Sequence, residues 1–590
     1  MKAGKADDVA IAYHSAVGGR SRDITYGELL SQVASFAGSL SNSVGVAKGD
    51  HVLIYMPMIP EALVAMLACT RIGAVHSVVF GGFAAPELAV RIADSQPKLV
   101  VTSTCGLEGA KVLPYMPLVD RALELATEAG ATVETVVVHN RTESAATTVE
   151  YEMKPGRDLD FDALSERGSL TGTDILGESN APCVEVLATD PLYTIYTSGT
   201  TGKPKGVVRD NAHAVILKWS MEAMMGVRPG ECYFSASDIG WVVGHSYIVY
   251  APLLHGCKTV LFEGKPVGTP DASTYWRVVE QHGANVMFTA PTALRAIRKE
   301  DPTGALLKNH DISSLRTLFV AGERADPDTV EYFQNLLGIP VVDNWWQTES
   351  GSPMCGMQLE SVGTVAGSCG LPLPGFDMVV LDPSGAPLPT GQMGSIAIRL
   401  PLPPGFMTTL LNNDQRYIEA FLTEFPGYYS AGDAGFMDDN GYMHIMARTD
   451  DVLNVAGHRL STGQLEEACL THPRVVECAV LGVKDALKGQ VPVAMVVLSG
   501  GSGSDEEVAK EVVQLVREQV GAVASLRQAA VVAALPKTRS GKILRGVMRA
   551  IADGDEYSLP GTIDDAGVVE GVTQALVQLG YAGGGTTARR

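Results

Sequence analysis

Short apolar runs at 51–55, 98–102, 135–139, 259–262 and 286–288 alternate with stretches whose apolar residues recur at helical spacing. One such stretch is AAPELAVRIAD at 84–94, with Pro86 near its start and Leu88, Ala89 and Ile92 on one face. Strand–helix alternation repeated in this way points to a large α/β domain with mostly parallel sheets. At 590 residues the chain is too long for one hydrophobic core and divides into two or more domains. After Arg448 the texture changes. Runs at 476–483 and 491–498 read as strands, and the polar spacer SGGSGSDEE follows at 499–507. Val508, Val512, Val516 and Val520 then mark one face of an amphipathic helix. The expected organisation is a large α/β domain over 1–449, a small α+β domain over 450–555 and a partly ordered tail over 556–590. Between 142 and 173 the apolar runs stop, which suggests a loosely ordered excursion.

A hydrophobic fraction of 46 % and a charged fraction of 19 % are those of a globular chain. The formal net charge of -21 argues against unspecific nucleic-acid binding and against an anionic membrane surface. Nine cysteines with no CxxC pair fit a reducing compartment and no structural zinc. The most apolar region, 52–85, is broken by Pro57, Pro60, Glu61 and Arg71, so no membrane span is expected. The opening MKAGKADDVAIAY lacks a signal-peptide core and has early acids that do not suit a transit peptide. A cytoplasmic location is therefore expected, or the mitochondrial matrix if a leader is missing.

The run YTSGTTGKPKG at 196–206 follows the apolar residues Leu192 and Ile195. Glycine lets the backbone turn its N–H groups toward an anion, hydroxyls add donors, and Lys203 and Lys205 add positive charge. This reads as a phosphate cradle. It is not a Walker loop, because GTTGK spaces its glycines differently. A flexible surface loop is the bland alternative, and the ordered succession of hydroxyls, glycines and lysines argues against it.

The run resembles the phosphate-binding signature of AMP-forming acyl-CoA synthetases, within the adenylate-forming superfamily. DNWWQTESG at 343–351, YYSAGD at 428–433, RTDDVLNVAGHRLS at 448–461 and PKTRSGKILR at 536–545 match that superfamily in the same order. HSVVFGGFA at 76–84 and DIGWVVGHSY at 238–247 narrow the resemblance to the short-chain acetyl- and propionyl-CoA synthetases. The resemblance implies ATP, coenzyme A and Mg²⁺, with a carboxylate attacking the α-phosphate and coenzyme A thiol then displacing AMP. Such a site must neutralise charge and hold atoms in line.

By that resemblance Thr197, Ser198, Gly199, Thr200, Thr201, Gly202 and Lys203 cradle the phosphates, and Asp343, Asn344, Trp345, Trp346 and Gln347 lie along the nucleotide. Thr348 would contact the α-phosphate and Glu349 would hold nucleotide-bound Mg²⁺. Asp433 resembles the acceptor of both ribose hydroxyls. Arg448 and Arg459 would contact nucleotide or phosphate, and Gly322, Glu323 and Arg324 the adenine side, although the family commonly has proline at the position of Arg324. Lys542 resembles the lysine that reaches carboxylate and α-phosphate oxygens during adenylation, and a site of regulatory acylation. Asp450 resembles the hinge of a mobile C-terminal domain whose rotation replaces Lys542 with Ala456 and Gly457, leaving room for the pantetheine arm.

Arg517 and Lys111 are the expected coenzyme A phosphate partners, where acetyl-CoA synthetases have an arginine-rich stretch in place of the segment containing Lys111. A structural Mg²⁺ is implied near Leu470, His472 and Val475, largely through carbonyls. Trp241, Val242, Val243, Ala321 and Trp346 would line the acyl pocket, with Trp346 as its floor. Acetyl-CoA synthetases typically carry threonine and valine where this chain has Val243 and Ala321. The wider, more apolar wall favours propionate over acetate, with an acetate ligase of relaxed selectivity as the alternative. No carrier segment follows Arg545, which argues against a carrier-protein adenylating module, and retained Lys542, Asp433 and Glu349 argue against a non-catalytic relic. Family members have an additional N-terminal segment before the counterpart of Ile24-Thr25-Tyr26, which points to a truncated or misassigned start.

Overall fold

The computed structural model describes residues 4–109, 111–142, 149–169, 183–197, 204–357, 365–449, 452–455, 458–485, 489–499, 504–520, 524–539 and 541–581. The chain forms two compact units. One comprises Met1–Ala321, Gln334–Thr364 and Leu402–Glu419, and the other Gly322–Phe333, Val365–Pro401 and Ala420–Arg590.

The first unit holds two large sheets. The seven-stranded sheet runs Val341–Asp343, Thr317–Val320, Val286–Thr289, Cys232–Ser235, Lys258–Glu263, Val9–Ser15 and Arg20–Thr25, parallel except for the last hairpin pair. The eight-stranded sheet runs Thr409–Leu410, Lys205–Asp210, Pro191–Thr197, Val75–Val78, His51–Tyr55, Leu99–Ser103, Thr135–His139 and Asp158–Asp160. Its first two strands are antiparallel to their neighbours and the rest are parallel. Central strands such as His51–Tyr55 and Leu99–Ser103 are buried almost throughout, as strands covered on both faces must be. The helix Ala85–Ser95 turns Leu88, Ala89 and Ile92 into a core that also takes Val119 and Ala122 of the helix Met116–Glu128.

Within the excursion expected at 142–173, the described stretch 149–169 is more ordered than its polarity suggests. Asp158–Asp160 adds an edge strand, and the helix Phe161–Ser169 inserts Phe161 against Phe36 with ring centroids 4.3 Å apart. Phe161 and Leu164 are buried, and Phe161 also meets His139 edge-on at 5.7 Å. The Ser39 hydroxyl donates to the Leu164 carbonyl and Arg157 pairs with Asp120 and Asp158, which together dock a segment that has no apolar run.

The second unit contains an antiparallel sheet of Met378–Leu381, Gly394–Arg399, Tyr428–Met437 and Met443–Arg448. It also contains the α+β body expected from the C-terminal texture. There Val475–Asp485 and Gly489–Leu498 form a long hairpin, extended by Gln528–Val531 and by the pair Val452–Val455 and His458–Ser461. One face is covered by Thr462–Leu470 and by Asp505–Gln519, which buries Val508, Val512 and Val516. The other face is covered by Arg545–Asp553 and Val568–Gln578. Of the stretch 556–590 read as a partly ordered tail, 568–578 is a helix, and 582–590 lie outside the described residues. Val569, Val572 and Leu576 recur on one helical face, and all three are buried in the core.

Among the described residues no helix is long and apolar enough to cross a membrane.

Candidate active site

In the first unit the chain leaves the strand Val341–Asp343 into the DNWWQTESG segment. Trp345 pairs with Cys355 in an antiparallel bridge, with N–H to carbonyl distances of 3.2 Å in both directions. The bridge closes the loop 346–354 at its base. Inside the loop the Ser350 hydroxyl donates to the carbonyls of Gln347 and Ser352, at 3.0 and 2.9 Å, and accepts the Gln347 N–H at 3.1 Å. Asn344 is buried and its amide donates to the Val320 carbonyl at 3.1 Å, which ties the loop to the strand ending beside Ala321.

Trp346 is 8 % exposed and stands edge-on to Tyr247 and Phe288, with centroids 5.4 and 6.2 Å away. Tyr247 comes from the π-helical turn His245–Tyr250, which continues the short helix Val242–Gly244. Gly244 is required there: a β-carbon on it would lie 2.1 Å from the Asp238 carbonyl oxygen. Val242 and Ala321 are buried and Val243 is half-buried. Trp241 packs elsewhere, against Phe80 and Phe83 at 5.5 and 6.1 Å. The two indoles expected in one acyl pocket thus join different aromatic groups. Burial pushes the Asp238 carboxyl up to about 6, opposed by the Gly240 N–H that it accepts at 2.7 Å.

Thr348 and Glu349 are half-buried at the turn of this loop. Their carbonyls accept from the buried guanidinium of Arg209, which also reaches the Gly405 carbonyl at 2.8 Å. The Met407 N–H donates to the Glu349 carbonyl at 2.9 Å. Burial, with the Arg209 charge contributing, holds His213 well below the usual imidazole range. His245 is pushed down to about 4 by burial despite its bond to the Trp241 carbonyl. Arg209 was missed by the sequence reading. The available signal was a charged residue inside the apolar strand that follows the phosphate run.

Of the phosphate run, Thr197 ends one strand and Lys205 begins the next, while Ser198, Gly199, Thr200, Thr201, Gly202 and Lys203 lie outside the described residues. Both flanks are held. The Tyr196 hydroxyl donates to Asp94 at 2.7 Å and Arg416 donates to the Pro204 carbonyl at 3.2 Å. Lys111 is exposed near the tip of a hairpin whose Glu108 pairs with Lys265 at 3.3 Å.

In the second unit Asp433 is buried and sits directly across the strand pair from Arg448, whose guanidinium lies 3.5 Å from its carboxylate. Gly322 adopts φ +98°. Arg324, expected on the adenine side, donates to Glu467 of the helix Thr462–Leu470 at 2.8 Å. Lys542 is exposed. Its N–H donates to the Thr538 hydroxyl at 3.1 Å and its carbonyl accepts from the Thr538 N–H at 2.8 Å, which closes a tight turn. Arg517 is exposed in the last turn of Asp505–Gln519. Asp450, Ala456 and Gly457 lie outside the described residues, as does the Arg459 side chain.

The cation implied near His472 fits the ring poorly. Nε2 lies 2.7 Å from Glu511 and Nδ1 accepts the Arg474 N–H at 3.1 Å, so backbone carbonyls are what remains for a metal. For Glu349 the fit is better. Its backbone is pinned while no ion pair of its carboxylate is found among the described residues, and no group of three or more acidic, His or Cys ligands occurs among them. Mg²⁺ carried by substrate phosphates needs one or two protein carboxylates rather than such a cage.

The model of a family described as AMP-binding enzyme matches residues 2–408, and that of the AMP-binding enzyme C-terminal domain matches 464–542. A human relative, acyl-CoA synthetase short-chain family member 3, mitochondrial, is 46 % identical over 98 % of this chain and 82 % of its own. Propionate–CoA ligase of Salmonella typhimurium is 42 % identical over 94 % of this chain and 87 % of its own. Acetoacetyl-CoA synthetase from Streptomyces lividans has the same fold, with a TM-score of 0.83 and 24 % identity, over 97 % of this chain and 84 % of that one. The mitochondrial relative overturns the cytoplasmic expectation. It matches nearly this whole chain, so the character of the first residues here carries no information about compartment.

Proposed function

The chain belongs to the AMP-binding enzyme family as a short-chain acyl-CoA synthetase, and on that premise we propose a set of residue roles and a range of acids. The reaction is AMP-forming ligation of a short-chain carboxylate to coenzyme A, driven by ATP. Enzymes of this family adenylate the acid in an ATP- and Mg²⁺-dependent step and then form the thioester.

The observation that supports the size limit is the edge-on packing of Trp346 against the stacked rings of Tyr247 and Phe288, as befits a floor beneath the acid. Val243 and Ala321 suggested a preference for propionate. The comparisons support acetate and propionate alike, so relaxed selectivity among short acids is the better reading. Thr197 to Lys203 hold the phosphates, Thr348 contacts the α-phosphate, and Asp343 to Gln347 with Gly322 and Glu323 border the nucleotide. Asp433 accepts the ribose hydroxyls beside Arg448, and Arg459 joins them. Glu349 would hold Mg²⁺ together with the phosphates, and the ion would supply positive charge against the repulsion of the attacking carboxylate. Lys542 adds positive charge during adenylation, and Asp450 is the hinge between the large domain, 1–449, and the mobile one, 450–555. For the thioester step Ala456 and Gly457 make room for pantetheine, and Lys111 and Arg517 meet coenzyme A phosphates. A cation held by the carbonyls of Leu470, His472 and Val475 stays part of the proposal.

Pyrophosphate release with acetate, propionate, butyrate and isobutyrate, with and without coenzyme A, tests the reading. Release should depend on the acid, and acetate and propionate should both be used well. Release that favours longer acids would reject the closed floor.

A further inference from the structure

The strand Lys205–Asp210 leaves the phosphate run and carries Arg209 inward, where its side chain is fully buried. A buried cation is costly unless hydrogen-bonded. Three hydrogen bonds of this guanidinium end on main-chain carbonyls. One nitrogen donates to Glu349 at 3.0 Å and to Gly405 at 2.8 Å, and the other donates to Thr348. The two consecutive carbonyls that it grips belong to the residues read as the α-phosphate and Mg²⁺ contacts.

The fit around this grip is close. A β-carbon on Gly351 would stand 2.7 Å from the Arg209 guanidinium carbon and 2.7 Å from the His213 ring, at a φ of +72°. The Ser246 hydroxyl donates to the Gly351 carbonyl at 2.6 Å, which pins the far end of the loop. Arg209 also sits opposite Tyr193 in the antiparallel pair whose strands flank the phosphate run. The antiparallel strands on either side of the phosphate run thus include the one that bears the clamp on the Thr348-Glu349 backbone.

We propose that Arg209 is a positioning residue for adenylation, holding the Thr348 and Glu349 main chain from behind so that both side chains meet the nucleotide in a fixed register with the phosphate run. It touches neither substrate nor metal. The inference rests on the roles given above to Thr348 and Glu349.

The test uses full-length Arg209→Gln, Arg209→Lys, Gly351→Ala and Glu349→Gln, and the double variant of Arg209→Gln with Glu349→Gln. Three quantities are read: carboxylate-dependent ATP–pyrophosphate exchange, thioester formation from pre-made propionyl-AMP, and Mg²⁺-ATP affinity from the fluorescence of Trp345 and Trp346. A misplaced loop should cost Arg209→Gln roughly 100-fold in the exchange kcat and weaken Mg²⁺-ATP binding about tenfold. Thioester formation should stay within about threefold of wild type, and Arg209→Gln should cost less than about threefold more in the Glu349→Gln background. Arg209→Lys and Gly351→Ala should lie between, and they carry the same comparison if Arg209→Gln fails to fold. Equal losses in both half-reactions, fully multiplicative losses in the double variant, or full exchange in Arg209→Lys and Gly351→Ala would overturn the proposal. Full activity of Glu349→Gln would instead overturn the role of Glu349.

Discussion

Ala321 is buried where the strand Thr317–Val320 ends, so any added volume there meets packed neighbours. Ala321→Val adds two methyl groups, and overpacking of that kind typically costs ~1–3 kcal/mol. If the acid's terminal methyl occupies that space, acetate escapes most of the cost. The propionate-to-acetate ratio of kcat/KM should then fall roughly tenfold, since ~1.4 kcal/mol is one decade. An unchanged ratio places the pocket elsewhere. Trp346→Gly should do the reverse and admit butyrate and longer acids, because it removes the indole that packs on Tyr247 and Phe288. Lys542→Ala should lower adenylation by ~10²–10³ while sparing thioester formation from pre-made acyl-AMP, the loss expected when one electrostatic contact is removed. Equal loss in both half-reactions would reject that division of labour. At this scale the sequence offers a residue wherever a motif names one. It does not show the ion pair of Arg324, whose partner Glu467 lies far along the chain.

At the scale of elements, the helix Val568–Gln578 ought to behave as part of the core of its unit. Leu576 is fully buried there beside Val572. Leu576→Asp would bury an unpaired carboxylate and should destabilise the C-terminal body by about 3 kcal/mol or more. Urea unfolding followed by circular dichroism measures this, and an unchanged midpoint would return the segment to the status of a tail. Asp450→Pro bears on the proposed hinge. Proline fixes φ near roughly −65° and removes the N–H, so adenylation should persist while thioester formation falls, and unimpaired turnover would place the hinge elsewhere. Element type was readable from periodicity, as the exact match at His51–Tyr55 and Thr135–His139 illustrates. Phe161–Ser169 escaped because, of its described side chains, only Phe161 and Leu164 bury apolar area, against partners such as Phe36 and His139 that lie far along the chain.

For the whole molecule, buried imidazoles contribute to the pH response. Burial lowers His14, His76 and His213, and pushes His245 and His282 down to about 4, from an unfolded value of 6.5. Below 6.5 the unfolded chain therefore binds more protons, and stability present above that value is lost as pH falls toward 4. Asp238 acts oppositely. Raised from 3.8 to about 6, it stabilises fully below 3.8 and loses that contribution as pH rises to about 6. The urea midpoint should drop between pH 7.5 and roughly pH 5, less steeply in His245→Asn and more steeply in Asp238→Asn. A midpoint that rises on acidification would contradict this. The sequence by itself determined the α/β class, the order of the phosphate, Thr-Glu, ribose and lysine motifs, and hence the chemistry, because those depend on residues close together in the chain. Only the tertiary structure decided that Arg209 grips the Thr348 and Glu349 carbonyls, that Trp241 and Trp346 join different aromatic groups, and that the last helix is core. Those contacts join residues far apart in sequence, and packing selects them through shape and buried polarity that local patterns do not encode.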